Sequence, residues 1–260
     1  MPFNLVGFSE AAPGTGIVNV LVGLNEQLYR VVTDDLYVTK EAPYILGVFA
    51  GAESTPNRVL LRQAKMIDYD IVKVVDVNLG DAANGYTHLF GRPLPLRVDK
   101  LTALSVNATD EDTLIGVLLG SGKITQAMLD AVNPTHKIHG YGDTTIVANT
   151  WTHVPITFTE TLDAGIYEIV GMRGWTYLAT NMFALMRVSI PGSQSWKPGV
   201  ITDFAAAAHT HFRHGSRVMD GADWPLMGIR FDVEHMPNVE ILSPAASEDQ
   251  DVELTLQKVG

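Results

Sequence analysis

The sequence predicts an all-β protein: two tandem antiparallel β-sandwiches (jelly rolls) joined by a short helical linker. Three observations predict it. Apolar residues alternate with polar ones in several short runs, the pattern of strands with one buried face. Clusters of Gly, Pro, Asn and Asp separate the runs at close intervals, and the chain has 23 Gly and 13 Pro to build such turns. One helical segment lies near the middle of the 260 residues.

The first half opens on residues 17–22, an apolar run (Ile17, Val18, Val20, Leu21, Val22) that reads as a strand buried on both faces. Residues 71–77 and 115–119 read the same way. Turn clusters lie at 12–16, 51–57, 81–85 and 191–193. Residues 124–132 are rich in helix formers, with Ile124, Met128, Leu129 and Val132 on one face. Pro134 ends that helix. The polar stretch 133–143, with two Gly and a Pro, has linker composition. Clean alternation returns afterwards. Val154, Ile156 and Phe158, then Ile229, Phe231 and Val233, then Val252, Leu254 and Leu256 each take every second place. These elements divide the chain into a first sandwich at 1–122, a helical linker at 123–142 and a second sandwich at 143–260.

The halves carry an internal repeat. Sliding the chain by 138 residues lays Ser105, Ala108, Leu114 and Leu118 over Ser243, Ala246, Val252 and Leu256. A second block matches at 123: Tyr44, Leu46 and Gly51 over Tyr167, Ile169 and Gly174, and Thr87-His88-Leu89 over Thr210-His211-Phe212. The change of shift requires about 15 extra residues in the second half, and 218–225 has loop composition to hold them. Charge is shared evenly, with 10 basic and 15 acidic residues in 1–134 and 8 and 14 in 135–260.

Composition excludes several functions. A net charge of -11 is the wrong sign for wrapping nucleic acid. With no cysteine there are no disulfides, thiolate zinc sites or cysteine nucleophiles. The N-terminus lacks the basic and apolar regions of a secretory signal, and no run is apolar enough for a membrane-spanning helix.

No motif names a reaction. His209 and His211 share a face if they lie on a strand, which makes them the candidate metal ligands, and His214 falls on the other face. His-x-His also opens the cupin metal motif, but a Glu must follow, and residues 215–219 supply none. Gly120-Ser121-Gly122-Lys123 resembles the end of a phosphate loop, yet positions 117 and 124 are Val and Ile where Gly and Ser or Thr are required. Asp34-Asp35, Asp110-Glu111-Asp112 and Glu248-Asp249-Gln250-Asp251 read as solvated acidic turns. No Gly-x-Ser-x-Gly elbow occurs. No catalytic residue, metal or cofactor is therefore expected. All four tryptophans lie in the second half, and Trp196 and Trp224, both in loop-like sequence, are the expected interface residues.

Strand-rich halves, a midpoint helix and a repeated terminal strand pair in a cysteine-free acidic chain resemble the double jelly-roll major capsid proteins of membrane-containing icosahedral viruses. The resemblance implies a structural virion protein with no enzymatic role. Three chains would form a pseudo-hexagonal capsomer of six upright sandwiches. Its partners would be further copies, other capsid proteins and an internal membrane, without direct contact to nucleic acid. Assembly would take place in the host cytoplasm. Two other readings fit the composition: a carbohydrate-binding or phage-appendage sandwich, and a bicupin-like metalloenzyme.

Overall fold

The computed structural model describes residues 3–12, 14–38, 41–52, 57–63, 73–77, 86–95, 100–108, 112–122, 125–178, 184–192, 195–204 and 227–260. Its regular structure is almost entirely β. The first half contributes β1 (Phe3–Glu10), β2 (Gly14–Val20), β3 (Arg30–Val32), β4 (Asp35–Tyr37), β5 (Tyr44–Ala52), β6 (Asn57–Gln63), β7 (Lys73–Val77), β8 (Tyr86–Pro95), β9 (Lys100–Ala108) and β10 (Thr113–Gly120). A short helix, α1 (Gln126–Asp130), follows. The second half contributes β11 (His136–Gly142), β12 (Thr152–Val154), β13 (Thr157–Phe158), β14 (Ile166–Leu178), β15 (Ala184–Ser189), β16 (Gly199–Phe204), β17 (Ile229–Asp232), β18 (Asn238–Leu242) and β19 (Ser247–Lys258).

In each half the chain pairs like a long hairpin rolled up on itself. β1 pairs with β10, β2 with β9, β5 with β8, and β6 with β7, all antiparallel. Contacts of β10 with β5 and of β9 with β6 gather these pairs into two sheets. The orders are β1-β10-β5-β8 and β2-β9-β6-β7. Eight strands wrapped first to last in two sheets make a jelly roll. The second half repeats the scheme strand for strand. β11 pairs with β19, β12 with β18, β14 with β17, and β15 with β16. The sheets are β11-β19-β14-β17 and β12-β18-β15-β16. Local differences decorate the common plan. The β3–β4 hairpin, which extends β9, is inserted in the first half only. A short parallel contact of β14 with β16 joins the two sheets of the second sandwich.

Register corrects the repeat by one residue. β5 skips Leu46 in its pairing with β10, placing Leu119 opposite Ile45 and Leu118 opposite Gly47. β14 skips Val170 in the same way, placing Leu256 opposite Ile169 and Thr255 opposite Gly171. Ile45-Leu46-Gly47-Val48 is thus the counterpart of Ile169-Val170-Gly171-Met172, around a shared β-bulge. Ile45, not Leu46, matches Ile169, and Leu119, not Leu118, matches Leu256. The one-residue error matters because a slip of one exchanges the two faces of a strand. The proposed match of Thr87-His88-Leu89 to Thr210-His211-Phe212 and the inserted loop at 218–225 fall outside the described residues on their second-half side. The partner of β8 in the repeat is β17.

The four sheets stack. One core fills the first sandwich, drawing Val6, Phe8, Val48, Ile115, Val117 and Leu119 from one sheet and Val20, Leu61, Leu101 and Ala103 from the other. The opposite face of β1-β10-β5-β8, with Phe3, Leu5, Leu114 and Leu118, joins the core of the second half. It packs on the outer face of β12-β18-β15-β16: a Cβ at Gly116 would lie 2.7 Å from Leu185 Cδ2. The inner face of that sheet meets the last one, where Met186 Sδ occupies the space over Gly174.

This stacking explains which strand expectations hold. Residues 115–119 are buried on both faces because β10 is central to a sheet covered on both sides. β2 is not such a strand, since Asn19 and Leu21 face solvent. The stretch read as polar linker contains β11, whose inward places after Ile138 are Gly140 and Gly142. The side chains of Ile156, Phe158 and Val154 fill the space over those glycines, so the strand shows no apolar alternation. The helix spans only 126–130 among the described residues. The acidic run 248–251 lies within β19 rather than in a turn, with Asp249 bulged at φ 55.

The seam tolerates no added volume. Gly116→Val should destabilise the chain by about 1–3 kcal/mol through overpacking. At this chain length that lowers Tm by about 2–4 °C per kcal/mol, readable by calorimetry.

Candidate functional site: a buried ionic seam between the sandwiches

Glycines let the two sandwiches approach closely. Beyond Gly116, a side chain at Gly23 would reach Leu242 at 2.7 Å, and one at Gly199 would collide with Leu5. The backbones are tied as well. Leu5 N donates to Lys197 O at 2.9 Å, Leu24 N to Asn149 O at 2.9 Å, and Trp151 N to Leu24 O at 2.9 Å.

Within this apolar contact lies a set of charges. Arg187, on β15, is 0% exposed. Its Nε donates to Glu240 of β18 at 2.7 Å, and its Nη1 donates to Glu26 at 2.8 Å and to Leu5 O at 3.2 Å. The guanidinium lies 3.8 Å above the Trp151 ring, where cation–π attraction is strongest without water. Lys197 donates its ammonium to the other oxygen of Glu240. Glu26, from the first sandwich, also accepts from Leu28 N at 2.9 Å. Two cations thus meet two carboxylates across the seam, three of the four from the second sandwich and Glu26 from the first.

Polar contacts extend the set. Asn4 on β1 accepts from Lys197 N at 2.6 Å and donates to the Tyr29 hydroxyl at 2.9 Å. Burial is the largest influence on Tyr29 and pushes its pKa up to about 12, with Glu26 and Glu41 adding to the shift against the Asn4 hydrogen bond. Glu240 shows the opposite outcome. Burial, its largest single influence, pushes it up, but the charges and hydrogen bonds of Arg187 and Lys197 together hold it below the ordinary carboxylate range. Buried charges persist only when paired, and each of these meets an opposite charge, although Arg187 Nη2 is left without an acceptor.

A second charged cluster lies on the outer face of the last sheet. Glu253 accepts from Lys137 at 2.8 Å and faces His139 Nε2 at 2.8 Å, with Arg173 Nε 3.7 Å away. Burial pushes Glu253 up most, yet Lys137, Arg173 and His139 bring it below its usual value. On the outer sheet of the first sandwich, Asp35 pairs with Lys100 and accepts from Thr102, and Asn19 donates to Asp34.

The sequence-derived candidates are placed unevenly. Trp196 is partly buried and packs against both cores, at the seam within the chain. His209, His211, His214 and Trp224 lie outside the described residues. Among the described residues no three His, Asp or Glu side chains are grouped to hold a metal ion. Ser121 and Gly122 form a bend after β10, and Lys123 is outside the described residues. Asp34 lies in the turn between β3 and β4. Sequence reasoning missed the ionic seam, although its signature was present. Arg187 interrupts Ala184-Leu185-Met186 and Val188, and Glu240 interrupts Val239 and Ile241-Leu242, so two opposite charges sit in otherwise apolar strands.

No protein-family model matches the chain, and no curated protein matches its sequence.

Removing Arg187 strands the buried Glu26 and leaves Glu240 with Lys197 alone. Arg187→Ala should therefore cost about 3–5 kcal/mol, measured by chemical denaturation at neutral pH. Glu240 has a depressed folded-state pKa, so its contribution is complete above the unfolded carboxylate range and is lost as pH falls through the folded value. Glu240→Gln should accordingly flatten the acid limb of stability against pH, and an unchanged limb would show that Glu240 does not titrate with unfolding.

Proposed function

We propose that the chain is a structural shell protein, a major capsid protein acting as a homotrimer in an icosahedral virion and performing no catalysis. The observation that carries this reading is the repeated jelly-roll pairing in one chain. Two like units are held side by side by a large apolar seam.

The way the units meet supports the reading further. The outer face of β12-β18-β15-β16 in the second unit packs on β1-β10-β5-β8 in the first, so the contact joins two different faces. Contacts between different faces of like units generate rings when the rotation closes. Three chains supply six such units for a pseudo-hexagonal ring. In this role further copies, other capsid proteins and an internal membrane are the partners. The net charge of -11 fits a shell that does not touch its genome. A carbohydrate-binding role is less well supported, because Trp151 and Trp196 are packed in the seam and offer no exposed platform for a sugar ring.

Light scattering and negative-stain microscopy of the purified full chain test the proposal. A particle of about three times 28.3 kDa with six-lobed outline is expected. Monomers at every concentration and salt would overturn it.

A further inference from the structure

His139 sits between two carboxylates. Its Nε2 lies 2.8 Å from Glu253 Oε2 and its Nδ1 lies 3.3 Å from Glu160 Oε1. A neutral imidazole has one N–H and one lone pair, so it can donate to only one of them. An imidazolium donates to both. The two acceptors belong to different elements. Glu253 is on β19, and Glu160 is in the corner between β13 and β14.

Glu160 ties the corner to β11 beside the pairing of β13 with that strand. Glu160 Oε2 accepts from His139 N at 2.6 Å and from the Thr159 hydroxyl at 2.8 Å, while Thr159 N donates to His139 O at 2.9 Å. The His139 backbone bond is the main cause that draws the Glu160 pKa below its ordinary value, against the opposing effect of burial. The other charged groups on the face are Lys137 on β11, Arg173 and Glu168 on β14, Asp251 on β19 beside Tyr141, and Arg230 on β17, paired with Glu168. Lys137 keeps Glu253 paired when the imidazole loses its proton. Glu160 has no cation among its contacts besides His139.

We propose that His139 is a proton-operated clamp that fastens the corner at 159–165 to the outer sheet of the second sandwich. With both partners charged the clamp is closed. When the imidazole loses one proton, the shorter bond to Glu253 keeps the remaining N–H, and the Nδ1 lone pair faces the Glu160 carboxylate. The corner then loses its side-chain tie at His139 and keeps its backbone and Thr159 bonds, the buried Leu162 and the bond from the Tyr167 hydroxyl to Asp163 O. As pH falls far enough to protonate Glu160, the clamp also opens. The corner is therefore most firmly held in a band between the two titrations. This device does not depend on the shell reading, since it lies within one chain.

Hydrogen exchange of the full chain, corrected for intrinsic rates, tests it. Amides at 159–165 should lose protection by about two- to fivefold between about pH 5.5 and about pH 8, the range set by a partly exposed ion pair. His139→Gln, which keeps a neutral donor, should show no such change. His139→Lys, a permanent cation, should stay protected at the higher pH. Equal pH dependence in the wild type and His139→Gln, or none in the wild type, would overturn the clamp. The exposed position of His139 lets all variants fold, which the melting temperature verifies.

Discussion

The strands β1 and β10 are buried on both faces along almost their whole length, and the rest of the molecule follows from that. A strand covered on both sides must be apolar at odd and even positions, as residues 114–119 are. Its neighbours must come close enough to exclude water, which is why glycines occupy positions 7, 23, 116 and 199 along the seam. Any charge caught in such a contact needs partners from within the protein. Arg187, Lys197, Glu240 and Glu26 supply one another with those partners. The apolar seam holds the sandwiches together, and the ionic set fixes how they are turned. A slide along the seam would leave Glu26 facing no cation.

The repeat shows how one fold takes two roles. Ile115, Val117 and Leu119 correspond in register to Val252, Leu254 and Leu256, and both trios line the interior of their own sandwich. The residues between them differ. Leu114, Gly116 and Leu118 in β10 correspond to Asp251, Glu253 and Thr255 in β19. The first set meets another sandwich, and the second is covered by the polar side chains of the outer face, Glu253 among the His139 cluster. Inward positions kept their character because each sandwich needs a core. Outward positions diverged because only one of the two equivalent sheets is covered.

Much of this was legible in the sequence, and the failures have physical causes. Alternation announced β17 and β19 because their inward residues are large and apolar. The same signal is silent in β11, where Gly140 and Gly142 leave room for residues of β12 and β13 and the outward places are polar. The duplication was visible, but its register was off by one. A β-bulge at Leu46 and Val170 breaks the period-two rhythm on which an ungapped match relies. The ionic seam was hidden for a different reason. A single Arg or Glu in an apolar strand gains meaning only once its partner is known, and Glu26 is 161 residues from Arg187. Of the candidate site, only Trp196 was named in advance.

The ends of the stack differ in kind from its middle. On one side Asp35, Lys100, Thr102 and Asn19 line the outer sheet with paired polar groups, and on the other Lys137, His139, Glu253 and Arg173 do the same. An apolar face at either end would continue the stacking without limit, because the internal contact is between unlike faces. Paired charges at these positions favour weaker, hydrated contacts that depend on salt and geometry. The proposed shell role would require contacts between chains that are reversible enough to correct errors.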